Sequence, residues 1–285
     1  MRQIRSFFNM LTRKNIILIL GIVITGCMFV IVIFAPYLEM YDPTKMSLGD
    51  KFIPPCREHW FGTDHMGRDI LSRVIEGSRV SLTTAVAVVL VSAALGTGIG
   101  LVSGFFGGFM DMILMRLVDV LLAFPTIVFA LAISTLLGTG QGNLILAICC
   151  VQWVRYARIA RGEAILLKNA EYIEAAKAIG SSNLQLLAKY FFHNVISKIL
   201  IMVSLDIGSI ILYCASLSFL GLGAQPPSPD WGVMISDGKN YMQYAPWMTL
   251  FPGLAIAVSA LGFNMMGDGI RDLLDPRMRE SVQSE

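Results

Sequence analysis

The stretch VSLTTAVAVVLVSAALGTGIGLVSGFF, residues 80–106, contains 27 residues and no charged side chain. A helix needs about 20 mostly apolar residues to cross the hydrocarbon core of a bilayer, so this stretch is long enough to span a membrane. Over the whole chain of 285 residues, 55% are hydrophobic and 15% are charged, whereas a soluble domain carries about 25% charged residues. The sequence therefore predicts an all-α integral membrane protein.

Further apolar segments of spanning length occur along the chain. The first of them follows a basic N-terminus and is longer than the apolar core of a signal peptide, which favours a retained anchor. In total the sequence predicts six transmembrane helices, with both termini on the same side of the membrane. They cover residues 16–38, 80–106, 113–138, 143–160, 194–221 and 247–268.

Lysine and arginine residues are distributed unequally between the two sides. The termini together with residues 155–193 carry thirteen of them, whereas residues 39–79 and 222–246 carry seven. Loops rich in lysine and arginine stay in the cytoplasm. The distribution therefore predicts a multi-pass protein of the cell membrane with both termini and residues 155–193 in the cytoplasm.

Glycines recur at every fourth position near the end of the second apolar segment. This spacing places small residues along one helix face, where the backbone of a second helix can approach closely. The pattern predicts a packed bundle rather than isolated spans. The glycines concerned are Gly96, Gly100, Gly104 and Gly108.

Several kinds of chemistry have no support in the sequence. No G-x-x-x-x-G-K-[ST] motif occurs, so the chain is not expected to bind ATP itself. The net charge of +2 is too small to indicate nucleic-acid binding. The five cysteines show no CxxC spacing and predict neither a zinc site nor a disulfide framework. We therefore expect no catalytic residue, no bound metal and no cofactor in this chain.

The segment EYIEAAKAIGSSN, residues 171–183, is charged and lies between two apolar segments. Strong helix formers up to Ile179 are followed by Gly180, which suits the left-handed position after a helix. Ser182 and Gln185 then have the spacing of a capping box, which predicts the start of a second helix. A helix, a glycine turn and a second helix in the cytoplasm favour docking onto another protein.

This segment also resembles a known motif. Glu174, Ala175, Ala176 and the later Gly180 look like the EAA loop of ABC importer permeases, which docks onto a cytosolic ATPase. Four other stretches are similar to the same family, in its dipeptide, oligopeptide and nickel branch, and the resemblance covers residues 61–277. One departure is His193, where the family often has proline. The four stretches are FGTDHMGRDILSRV (61–74), WVRYARIARGEAI (153–165), LSFLGLGAQPPSPDWGVMI (217–235) and FNMMGDGIRDLLDPR (263–277).

The resemblance implies the type I ABC importer permease fold, with a permease domain at residues 79–268 and its coupling loop at 155–193. Residues 1–78 would hold the first span and an external loop, and residues 269–285 a cytoplasmic tail. It implies a non-enzymatic subunit of a prokaryotic inner membrane, with Glu174, Ala175, Ala176 and Gly180 coupled to the ATPase. The implied partners are a second homologous permease in a heterodimer, two cytosolic ATPases holding ATP and Mg²⁺, and an external substrate-binding protein.

The substrate stays open between small peptides and nickel or a metal chelate. Asp206 and Met202 are candidates for the translocation path, although Asp206 could equally make a hydrogen bond between helices. Asp119 lies three residues after Arg116, so these two side chains could form an ion pair within one helix. The alternative function, an ATPase-independent secondary transporter or channel, would need internal repeats or a proton relay, and we find neither in the sequence.

Overall fold

The computed structural model describes the backbone of residues 2–274 and the side chains of residues 16–272. Within these residues the regular structure is helical, apart from one isolated bridge between Thr63 and Asp69. Residues 186–191 form a π-helical turn that leads directly into α8. The α-helices are α1 (Arg2–Leu38), α2 (Ile70–Phe106), α3 (Gly108–Leu122), α4 (Thr126–Leu137), α5 (Gln141–Lys168), α6 (Glu171–Ala178), α7 (Asn183–Gln185), α8 (Phe192–Phe219), α9 (Trp231–Gly238) and α10 (Trp247–Leu274).

Five helical segments of the described chain are long and apolar enough to cross a membrane, and α3 with α4 makes a sixth if the pair counts as one span. The two helices meet at 96°, so the prediction of one continuous helix over residues 113–138 is wrong. Pro125 has no backbone N–H and disfavours a helical conformation at Phe124 before it. Its carbonyl instead accepts the N–H groups of Val128 and Phe129, both at 3.1 Å, which starts α4.

The described chain divides into two compact units, of which the first contains the residues up to Val86, Gly138–Leu144 and the residues from Ser204 onward. In this unit α1 packs along α10. A side chain at Gly21 would overlap the backbone of Met265 and Met266, and the rings of Phe29 and Phe263 meet edge to face at 6.0 Å. The glycine therefore allows the close backbone approach that aligns the first and last spans.

A buried cluster of charges fixes the segment between α1 and α2 in the same unit. Arg68 binds Asp64 at 2.6 Å and Asp237 of α9 at 3.6 Å, and Arg73 lies 3.7 Å from Asp64. Both arginines are almost fully buried, and a buried charge is tolerated only when it is paired. The motif FGTDHMGRD thus has a structural role in this unit, because it attaches the segment to α9.

Helix α9 begins with a capping interaction. The Asp230 carboxylate accepts the N–H groups of Gly232 at 2.9 Å and Val233 at 3.2 Å, and also the hydroxyl of Ser81 at 3.1 Å. Burial raises the pKa of Asp230 above its ordinary value even though these hydrogen bonds favour the carboxylate. Trp231 then donates its ring N–H to the Val74 carbonyl at 2.9 Å, which holds α9 against α2.

The second unit contains Ala87–Leu137 and Ile145–Val203, and in it α2 packs closely against α5. A side chain at Gly96 would overlap the carbonyl of Trp153, and one at Gly100 would overlap the carbonyl of Ala157. At Gly104 an added Cβ would lie 2.8 Å from the Arg161 carbonyl oxygen. The predicted glycine groove is therefore confirmed for these three positions.

Gly108 does not belong to the groove. It is the first residue of α3, its φ is +67°, and an added Cβ would meet nothing within 4 Å. Helix α2 ends at Phe106, so the regular four-residue spacing continues in the sequence after the helix itself has stopped. The prediction that Gly108 packs against a second helix is wrong, and its glycine serves the turn between α2 and α3.

Candidate docking site

Helix α6 ends in a turn that Gly180 forms. Gly180 has a φ of +87°, and its N–H donates to the Lys177 carbonyl at 2.9 Å while Ser181 donates to the Ala176 carbonyl at 3.1 Å. These two bonds are those of a Schellman motif, which satisfies carbonyl groups that a helix end leaves free. The predicted left-handed glycine is thus confirmed, and it determines the direction in which the chain leaves α6.

The second helix begins with the predicted capping box. The backbone N–H of Ser182 donates to the Gln185 side-chain oxygen at 2.9 Å, and the Gln185 N–H donates to the Ser182 hydroxyl at 3.3 Å. The α-helical part is short, because α7 ends at Gln185 and the π-helical turn follows. Two local motifs thus define the connection between α6 and α8.

One face of this connection is firmly packed. Ile173, Ala176 and Leu186 are buried together with Phe191 in one hydrophobic cluster. The cluster also contains Ala160 and Ala164 of α5, Phe105 of α2, and Val195 and Ile199 of α8. Helix α6 is consequently seated on the bundle of its own unit.

The opposite face is exposed and defines what we call the docking surface, residues 174, 175, 178–180 and 184. Glu174, Ala175 and Gly180 are exposed on this surface, and their coupling to an ATPase stays a prediction. Ala176 is not exposed, because it belongs to the buried cluster beneath α6. Its small side chain lets α6 approach the bundle closely, and its coupling to an ATPase stays a prediction.

Two docking-surface residues were missed from the sequence. Ile179 and Leu184 are large, apolar and strongly exposed on either side of the glycine turn. Isolated exposed apolar residues are common, so the exposure of these two side chains does not by itself establish a contact with another protein. No clear signal was present in the sequence, because Ile179 continues the three-residue spacing of Ile173 and Ala176, and Leu184 lies in the next helix.

Ion pairs connect the helices of this unit on which the docking surface rests. Lys198 of α8 binds Glu163 of α5 at 2.5 Å, and Arg161 of α5 binds Asp111 of α3 through two hydrogen bonds of 2.5 and 2.7 Å. The Phe105 and Phe191 rings also meet edge to face at 5.1 Å. A force on α6 would therefore reach α5 and α8 through packed contacts.

The two residues predicted for the translocation path lie one turn apart on α8. Asp206 is buried within its unit, and Met202 packs at the edge of the hydrophobic cluster of the other unit. Their role in a path stays a prediction. Asp119 pairs with Arg158 of α5 at 2.7 Å, so the structure gives it a partner on another helix, where the sequence suggested Arg116.

Two of the three histidines have structural partners in the first unit. His59 Nδ1 lies 2.9 Å from the Asp69 carboxylate, and His65 stacks on Tyr241 with ring centroids 5.6 Å apart. Among the described residues no group of three or more His, Cys, Asp and Glu side chains could hold a metal ion. The expectation of no metal site in this chain stays a prediction for the complete protein.

The chain is similar over most of its length to permease proteins of bacterial transport systems. It is 43% identical to a probable D,D-dipeptide transport system permease of Escherichia coli K12, over 90% of this chain and 86% of the relative. It is 41% identical to a dipeptide transport system permease of Alkalihalophilus pseudofirmus, over 96% of this chain and 90% of the relative. A glutathione transport system permease of Pectobacterium atrosepticum is 38% identical, over 96% and 91%.

The family model gives the same result. Residues 96–280 match the model described as binding-protein-dependent transport system inner membrane component. The match contains the glycine groove, the docking surface and α10, and the relatives extend the similarity to nearly the whole chain. The chain therefore belongs to the family of inner membrane components of binding-protein-dependent transport systems.

Proposed function

We propose that this permease imports small peptides in an ATP-driven complex, and that its docking surface couples the bundle to the ATPase. The observation that carries the proposal is the two-sided character of α6. Its buried face is continuous with the packed core of α5 and α8. Its exposed face presents Glu174 and Ala175, and the turn and helix that follow add Ile179 and Leu184. Such an element can receive a push on one side and pass it to the spans on the other.

Peptides are supported by two observations. The relatives reported above are named as dipeptide, D,D-dipeptide and glutathione permeases, and glutathione is itself a small peptide. Nickel would need imidazole or thiolate ligands along its route. His59 and His65 are held by Asp69 and Tyr241 instead. The missing ligands weigh against a free nickel ion, and the names of the relatives lead us to favour peptides over a metal chelate.

The assembly follows from the function. We propose that the chain forms a heterodimer with a second, homologous permease and that an external binding protein delivers the peptide. Two cytosolic ATPases would bind ATP and Mg²⁺, so this chain is the non-catalytic membrane subunit. Closure of the ATPases would move α6 and bias the bundle between inward-open and outward-open states.

The orientation of the chain can be tested at Cys56. It lies in the segment between α1 and α2, is exposed, and should be outside the cell if the termini and the docking surface are cytoplasmic. With Cys27, Cys149, Cys150 and Cys214 replaced, a membrane-impermeant thiol reagent should label Cys56 in intact cells. Labelling that requires opened cells would invert the proposed orientation.

Uptake by the reconstituted complex tests the function. Proteoliposomes with both permeases and both ATPases should take up a radiolabelled dipeptide only when the binding protein is outside and ATP is inside. The same vesicles with a catalytically inactive ATPase serve as the control. Uptake that continues without ATP would contradict the proposal and favour the secondary transporter or channel.

A further inference from the structure

Helix α3 exposes apolar and charged side chains at nearly the same position along its axis. Leu117 is apolar and 48% exposed, whereas the Asp119 side chain, two residues later, is 57% exposed. Successive helical residues are rotated by about 100°, so these two side chains point to opposite sides of α3. Exposed apolar residues also lie near both ends of α3, at Phe109 and Phe124. Asp119 is thus inside an apolar stretch.

The ion pair with Arg158 leaves the Asp119 carboxylate exposed. Arg158 of α5 binds it at 2.7 Å and is itself 55% exposed. Beside this pair, Val118 of α3 packs against Val154 and Ala157 of α5 in a buried cluster. The ion pair therefore lies along the open edge of the contact between α3 and α5.

Lipid is an unfavourable environment for the exposed charges along this edge. Charged side chains within spanning helices almost always face a bundle interior or a water-filled cavity. An arginine can extend its long side chain toward the headgroups, but the short side chain of Asp119 cannot. Asp119 and its partner Arg158 fall inside the predicted spans 113–138 and 143–160, near the cytoplasmic ends of both. Water is the environment that matches an exposed carboxylate at this position.

A dry contact with a second protein fits less well. Arg116 is exposed on the same side of α3, three residues before Asp119, so it adds a second guanidinium to the edge. Burial of an unpaired charge is costly, and a dry partner would have to supply a matching acid at that point. A hydrated surface needs no such match.

We propose that this edge, formed by Met112, Arg116 and Asp119 of α3 with Arg158 of α5, is part of the wall of the water-filled translocation path near its cytoplasmic end. The inference rests on the proposed function, because a path exists only if the chain is a permease that works with its partner subunits. It assigns the path to one side of α3 and the surrounding lipid or protein to the other.

Matched cysteine pairs on α3 test the inference in the complete complex. With the five natural cysteines replaced, Arg116→Cys is compared with Leu117→Cys, and Met112→Cys with Ile113→Cys. Met112 and Ile113 are 55% and 53% exposed and adjacent, but only Met112 lies one turn from Arg116 on the charged side. The second pair alters no charge, so it decides the matter if Arg116→Cys fails to assemble.

The readout is the rate of reaction with a charged, membrane-impermeant thiol reagent in inverted membrane vesicles. Thiol reactivity requires the thiolate, which forms in water and not in lipid. We expect Met112→Cys and Arg116→Cys to react at least about tenfold faster than the adjacent variants with which they are paired. Equal rates within both pairs would overturn the inference while ATP-dependent uptake by the same complex still upheld the proposed function. Loss of ATP dependence in the wild-type complex would reject the function instead.

Discussion

Replacing Gly180 with proline is expected to lower peptide uptake at least about tenfold while the permease still inserts into the membrane. Proline holds φ near −65°, whereas Gly180 has a φ of +87°. The change also removes the N–H that binds the Lys177 carbonyl at 2.9 Å. The turn must then change direction and displace Ile179 and Leu184 on the docking surface. Uptake should fall by about tenfold or more, because each 1.4 kcal/mol lost from docking is about a factor of ten.

Gly180→Asn is the matched control for this prediction. Asparagine tolerates the left-handed conformation and keeps its N–H, so the Schellman motif can persist. We expect this variant to retain most of the uptake and to co-purify with the ATPase. The proline variant should lose both properties, although the amount of permease in the membrane stays unchanged. Normal ATPase co-purification with Gly180→Pro would show that docking takes place elsewhere on the chain.

Local motifs were the most predictable part of the candidate site. The glycine turn at Gly180 and the capping box of Ser182 and Gln185 depend on residues within one turn of each other, and both are confirmed. The burial of Ala176 depends on which face of α6 meets α5 and α8, which the eight residues of α6 do not determine alone. For the same reason the exposure of Ile179 and Leu184 was missed.

The spans show a similar division between local and tertiary information. Hydropathy located the apolar segments, since the cost of placing polar groups in lipid acts on each segment separately. It did not reveal the 96° bend after α3, because the apolar run continues through Pro125. The partner of Asp119 was also missed, since Arg158 lies 39 residues away in the sequence and only the packing of α3 on α5 brings it near.

Replacing Gly100 with valine is expected to prevent the packing of α2 against α5. An added Cβ would overlap the Ala157 carbonyl and lie 2.9 Å from the Ala160 Cβ. The first obstacle is backbone, which cannot rotate away as a flexible side chain can. Overpacking costs about 1–3 kcal/mol and sometimes more. Because the overlap is with backbone atoms, we expect the cost of Gly100→Val to lie at the upper end of this range. A loss of about 3 kcal/mol corresponds to a fall in melting temperature of roughly 6–12 °C.

Gly98→Val separates this packing effect from the change in helix propensity. Gly98 is two residues away on the same helix, and an added Cβ there meets nothing within 4 Å. Both variants replace glycine by the same β-branched residue in α2, so their intrinsic helix propensities change alike. Thermal unfolding of the purified complex in detergent should therefore leave Gly98→Val close to the wild type and lower only Gly100→Val. Equal melting temperatures for the two variants would mean that the glycine groove does not hold α2 and α5 together, and that the contact depends on the ion pairs and apolar clusters around it.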